Sequence, residues 1–124
     1  TLTLTDSASF SDEVSFSVTD SLTVAAPAQN TSLETVTTTG GNHIIIPAAT
    51  AVAYLFIRHT GTTDGSTGTA QLLDVENTDN EAFARLGAGE WLFMPFCHAG
   101  ASVGVQLQSA SGNIQVEYAF WTKG

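Results

Sequence analysis

At 124 residues the chain has room for one domain and one core. Charged residues make up 12% of it and hydrophobic residues 43%, so the charged share is roughly half the ~25% usual for soluble domains. A net charge of −9, with only Arg58, Arg85 and Lys123 as bases, excludes the clustered basic surface that nucleic acid or an anionic membrane requires.

The first 24 residues alternate with a period of two. Every odd position up to Thr23 is Thr, Ser or Glu, and the even positions are apolar except Asp6, Asp12 and Asp20. Such a period places all odd side chains on one face of an extended backbone and all even ones on the other. The three aspartates are poor strand residues and good turn formers, so they mark corners. Fully extended, this stretch reaches roughly 80 Å at ~3.3 Å per residue, whereas a domain of this size has a radius of gyration of about 14 Å. It must either fold back at the aspartates or lie on something else. The expected organisation is an extended β arm over 1–26 and a β-sandwich body over 27–124. Leu2, Leu4, Phe10, Val14, Phe16 and Val18 are the expected buried contacts of the arm at a subunit interface.

Ala25 to Asn30, with Pro27, reads as a linker or corner, and Leu33 to Thr39 as a strand closed by Gly40-Gly41-Asn42. His43 to Ile46 follows, stopped by Pro47. Val52 to Thr60 is apolar on both parities through Ile57, which predicts a central strand covered on both faces. Gly61 to Gly68 reads as an exposed, mobile loop. Ala70 to Val75 predicts a strand, Glu76 to Asn80 an acidic turn, and Glu81 to Leu86 a short strand. Glu90 to Phe96 is again apolar on both parities. Val103, Val105 and Leu107 alternate with Gly104, Gln106 and Gln108, as a half-buried strand does. In the last strand, Ile114, Val116, Tyr118 and Phe120 face one way and Gln115, Glu117, Ala119 and Trp121 the other. No 3.6-residue apolar period persists. Short strands at even spacing with Gly-rich turns predict an all-β fold, a single sandwich or jelly roll.

No catalytic constellation and no cofactor motif emerges. Cys97 is the only cysteine, which leaves no intrachain disulfide, and its neighbour His98 would point to the opposite face of a strand. Gly61 to Gly68 lacks a Lys and opens no helix, so it is not a phosphate cradle. Asp74, Glu76, Asp79 and Glu81, with Asn80, crowd oxygen ligands into one stretch and are the weak candidates for a hard cation such as Ca²⁺. They lack the Gly and the register of a calcium loop, and a solvated acidic turn is the favoured reading. The aromatic residues sit within strand patterns and are read as core and interface packing.

Several stretches resemble a family of small all-β virion structural proteins of tailed phages, especially marine and cyanobacterial ones. The opening alternation with Asp20-Ser-Leu-Thr-Val24 is similar to their leading segment, and Ala53-Tyr-Leu-Phe-Ile-Arg-His-Thr-Gly61 to a recurrent central strand. Phe83-Ala-Arg-Leu-Gly-Ala-Gly-Glu-Trp-Leu-Phe93 resembles their strand, small-residue turn and apolar strand, and Ile114 to Trp121 their closing strand. The resemblance implies a non-enzymatic capsid decoration or cement subunit, or else a minor capsid or tail protein. It would be a homo-oligomer, with a trimer the expected stoichiometry, set on the major capsid protein or other virion subunits, with no nucleic acid or membrane contact. The alternative expectation is a tail-tip or adhesin sandwich that recognises host-surface glycan through loops such as Gly61 to Gly68.

Overall fold

The computed structural model describes residues 30–38, 43–48, 52, 54–96 and 103–121. The expected arm, with Leu2, Leu4, Phe10, Val14, Phe16 and Val18, lies outside the described residues, as do Cys97 and His98. Eight strands follow one another: β1 (Asn30–Val36), β2 (His43–Ile46), β3 (Tyr54–His59), β4 (Leu73–Asn77), β5 (Ala82–Leu86), β6 (Trp91–Pro95), β7 (Val105–Ser109) and β8 (Ile114–Trp121). No helix occurs among the described residues.

The strands form two four-stranded antiparallel sheets, ordered β1-β8-β3-β6 and β2-β7-β4-β5. This order has a simple origin. A chain doubled back between β4 and β5 pairs β4 with β5, β3 with β6, β2 with β7 and β1 with β8; rolling that long hairpin adds β3·β8 and β4·β7. The result is a double-sheet jelly roll.

Alternation explains which side chains fill the space between the sheets. Leu55 and Ile57 from β3, Val116 and Ile114 from β8, and Val36 from β1 meet Leu73 and Val75 from β4, Val105 and Leu107 from β7 and Ile46 from β2; all are fully buried. Burying each such side chain contributes about 1.5–3 kcal/mol, and together they supply the apolar drive that a chain poor in charge pairs needs. The free edge between β5 and β6 is closed by Leu86, by partly buried Leu92 and Met94, and by a tilted contact between the Phe83 and Phe96 rings. At the opposite edge His43 of β2 reaches Glu34 of β1 at 2.6 Å, tying one sheet to the other.

Several boundaries differ from the sequence reading. β1 begins at Asn30 rather than Leu33 because its whole length pairs with β8, from Asn30 opposite Phe120 to Val36 opposite Ile114. β4 starts later and runs through Glu76 and Asn77, which pair with Gln106 and Val105 of β7. The acidic turn is thereby shortened, and it closes on Asn77, whose side-chain Oδ1 accepts the amides of Asp79 and Glu81 at 2.9 Å each. The Gly61 to Gly68 loop is exposed at its tip, as expected, but it is a hydrogen-bonded excursion rather than slack chain. Thr62 bridges Gly68, and Asp64 accepts four hydrogen bonds, from the amides and hydroxyls of Ser66 and Thr67.

Two polar devices hold the two ends of the roll. His59 is fully buried; its Nδ1 accepts the Gly61 amide at 2.9 Å and its Nε2 lies 3.0 Å from the Gln71 carbonyl. At the other end of the roll, Gly104 exchanges hydrogen bonds with Thr78 and lies so close to the β2 end that a Cβ there would sit 2.0 Å from the Ile46 carbonyl oxygen.

Candidate functional site

β3 and β6 are not covered on both faces, contrary to the reading of their two apolar parities. Their aliphatic parity, Leu55, Ile57, Leu92 and Met94, faces the core, while Tyr54, Phe56, Trp91 and Phe93 face outward. The second sheet packs against the opposite face of this one, and among the described residues no element covers the outer face.

Register places the outward side chains of the β1-β8-β3-β6 sheet in rows across it. Trp121, Tyr54 and Pro95 form one row, and Ala119, Phe56 and Phe93 the next. Leu33, Glu117, Arg58 and Trp91 form the third. The rings touch one another. Tyr54 and Phe93 stack with centroids 6.0 Å apart and planes 9° from parallel, and Phe93 meets Trp121 edge-on at 6.2 Å. Buried Ala119 forms a low floor beside these larger neighbours. Trp91 remains 51% exposed, Phe93 42% and Leu33 57%. Single exposed apolar residues need no explanation, but a contiguous patch of this kind is a candidate contact surface.

Among the described residues the charge on this face is confined to its third row. Arg58 donates from Nη1 to Glu117 Oε2 at 3.3 Å, with both side chains about half exposed. Such a pair contributes at most about 1 kcal/mol, and its effect is to leave the aromatic rows free of unpaired charge. Open depressions flank Trp91, one lined by Leu86, Glu90 and Phe93, the other by Phe56 and Arg58, with Gly89 common to both.

The carboxylates named from the sequence are dispersed rather than gathered. Asp74 receives a two-pronged contact from Arg85, Nε to Oδ1 at 2.5 Å and Nη2 to Oδ2 at 3.1 Å. Glu76 is buried and accepts from Gln106 Nε2 at 3.2 Å, a donor that also reaches Asn80 Oδ1 at 3.0 Å. Glu81 accepts from Asn77 Nδ2 at 2.8 Å, and Asp79 stands exposed at the turn. Among the described residues no three His, Cys, Asp or Glu side chains are placed to hold one metal ion. Arg85 is held above its ordinary pKa by the hydrogen bond and charge of Asp74. Asp64 is the other perturbed group among the described residues. The backbone amides of Thr67 and Ser66, aimed at its carboxylate, lower its pKa from 3.8 to about 2.

The chain matches no protein-family model, and no curated protein or solved structure is significantly similar to it.

The aromatic face was signalled in the sequence by parity. In Tyr54-Leu-Phe-Ile57 and Trp91-Leu-Phe-Met94 the rings occupy one parity and the aliphatics the other. A strand with cover of equal kind on both sides has no reason to sort its residues in this way.

Proposed function

We propose that this protein is a non-enzymatic structural subunit of a tailed-phage virion, a capsid decoration protein that interlocks with its neighbours. The observation that carries the reading is the outward aromatic face of Tyr54, Phe56, Trp91, Phe93 and Trp121 on a rigid, charge-poor jelly roll. A contiguous aromatic surface with little charge suits protein–protein contact, where aromatic anchors carry most of the energy and charged groups are depleted. The resemblance of the strand and turn wording to phage virion proteins supplies the setting. Jelly rolls serve in capsid and lectin domains alike, so the architecture is compatible with this setting without selecting it.

A second reading, a glycan-binding module of a tail tip, draws on one feature. Trp91 stands half exposed beside the Arg58–Glu117 pair, as a sugar platform with polar flanks would. The Gly61 to Gly68 loop lends it less, because the Asp64 carboxylate is engaged within the loop itself.

Antibody raised against the protein and applied to purified particles of the encoding phage tests the assignment by immunogold microscopy. Label over the heads is expected. Label confined to the tail tip would replace it with the second reading, and particles without label would overturn both.

A further inference from the structure

We propose that β6 is a self-pairing edge: two copies of this chain join antiparallel along Trp91–Pro95, about a two-fold axis at Phe93, and their β1-β8-β3-β6 sheets become one. The inference rests on the reading of the protein as an interlocking subunit and names one of its contacts.

Sheet edges carry unpaired backbone groups, and folds protect them with charge, bulges, proline or short strands. Among the described residues this jelly roll has four edges. β1 carries Glu34 and a series of hydroxyl residues. β2 is four residues long, with a register shift between Ile44 and Ile46. β5 carries exposed Arg85, and its pairing with β4 shifts register where Phe83 is passed over. β6 has no charged residue and keeps an unbroken register with β3 from Trp91 to Pro95. The charge next to it in the chain, Glu90, is turned back onto the Gly87 amide at 2.6 Å. Of the four edges, β6 is the least protected.

The backbone shows what this edge offers. The Glu90 carbonyl accepts the His59 amide at 2.9 Å. By alternation Leu92 and Met94 also turn their backbone groups to β3, and Trp91, Phe93 and Pro95 turn theirs to the free edge. Pro95, the one protective residue here, fits that side because it has no N–H to give to β3. With the axis at Phe93, the N–H and C=O of Phe93 bond their own counterparts. Each Trp91 N–H meets the carbonyl of Pro95 of the partner subunit. The two Trp91 carbonyls, opposite the prolines, are left to water at the rim.

The side chains match under the same axis. On the outer face half-exposed Trp91 comes beside exposed Pro95 of the partner subunit, and Phe93 beside its own counterpart. On the core face Leu92 comes beside Met94 of the partner subunit. Leu92 and Met94 close this end of the core yet remain partly exposed, whereas Leu55 and Ile57 of the adjacent strand are fully buried. Apolar and aromatic pairs of this kind are the unit of sheet stabilisation. The contact is isologous and closes at two copies, in place of the trimer that the resemblance implies. The edge is five residues long, roughly 17 Å, which sets it among the weak, concentration-dependent contacts.

The test follows the full chain by sedimentation equilibrium from micromolar to millimolar concentration, with amide exchange read by NMR at each end. A rise from monomer to dimer is expected. Where about nine-tenths of the chain is dimeric, the Trp91 and Phe93 amides should exchange roughly tenfold more slowly than in the monomer. The Leu92 and Met94 amides, already turned to β3, should change less. A chain still monomeric at millimolar concentration would overturn the inference, as would association that leaves the Trp91 and Phe93 amides unprotected. Phe93→Lys sets like charges face to face across the axis and should abolish the dimer. Undiminished association of that variant, with parental circular dichroism, would equally overturn it, and the exchange measurement decides without any variant. A monomer with labelled heads would overturn this contact alone, and unlabelled particles with an intact dimer would overturn the function alone.

Discussion

The ring of Phe93 lies nearly parallel to that of Tyr54, 6.0 Å away across the β3–β6 pair, and both rings face away from the core. Each therefore contributes less to the fold than a fully buried side chain does. Phe93→Ala removes one stacked and one edge-on aromatic contact, an expected loss of about 1–3 kcal/mol. Leu55→Ala, one position along from Tyr54 but fully buried, should cost about 2–5 kcal/mol. Urea titration of both variants checks the contrast. Equal losses would mean that the outward face is part of the folding core.

Gly104 tests the close approach of β7 to β2. A Cβ at this position would overlap the Ile46 carbonyl oxygen and press on the backbone at Pro47 and Ala48. Backbone cannot swing aside as a side chain does, so Gly104→Ala must displace the end of β2 and the paired Thr78 contacts. The expected loss is at least the ~1–3 kcal/mol of an overpacked core, seen as a lower urea midpoint. Unchanged stability would contradict the packing of these two strands.

How far the sequence foretold these features depended on whether the signal was local. β8 was legible to the residue because Ile114, Val116, Tyr118 and Phe120 form an unbroken inward series. β4 was displaced because Glu76 and Asn77 look like turn residues, and only their pairing with Gln106 and Val105 makes them strand. The aromatic face needed two kinds of information. Parity separated Phe56 and Phe93 from Leu55 and Leu92, but their union into rows depends on β6 lying beside β3, a long-range fact that no local pattern carries. Asp74 and Glu81 were close in sequence yet face different partners, since strand pairing sends Asp74 to Arg85 and the turn keeps Glu81 on Asn77.

That dispersal predicts the response to calcium. With Asp74 held by Arg85 and Glu76 by Gln106, no set of six to eight oxygens is assembled for the ion among the described residues. Millimolar CaCl₂ should leave the melting temperature where EDTA leaves it. A rise in calcium would require a site that ties these groups together, because a ligand that binds only the folded state must raise stability.

Asp64 gives the loop a pH dependence whose sign follows from its lowered pKa. The folded carboxylate titrates at about 2 and the free one at 3.8, so ionisation favours the closed loop. The contribution is fully present above pH 3.8 and is lost as the pH falls through about 2. The amide proton shifts of Ser66 and Thr67, which donate to this carboxylate at 2.9 and 2.7 Å, should titrate together with a midpoint near 2. A midpoint close to 3.8 would show that the carboxylate does not hold those amides in solution.

His59 makes the strongest single-residue prediction, because its buried ring serves a part-buried backbone group with each nitrogen. The Gly61 amide is a donor and can only be met by a bare Nδ1, so the proton belongs on Nε2, where it is donated to the Gln71 carbonyl. The two bonds are thus met by one tautomer. Nitrogen chemical shifts of the folded protein should identify the Nε2–H form. His59→Leu keeps the bulk and removes both bonds, stranding an amide and a carbonyl at about 1–3 kcal/mol each. The loop Gly61 to Gly68 and the approach to β4 are both anchored at this point, so amide exchange should rise there first. A leucine variant as stable as the parent would mean that water, or a shifted backbone, meets these two groups without the imidazole.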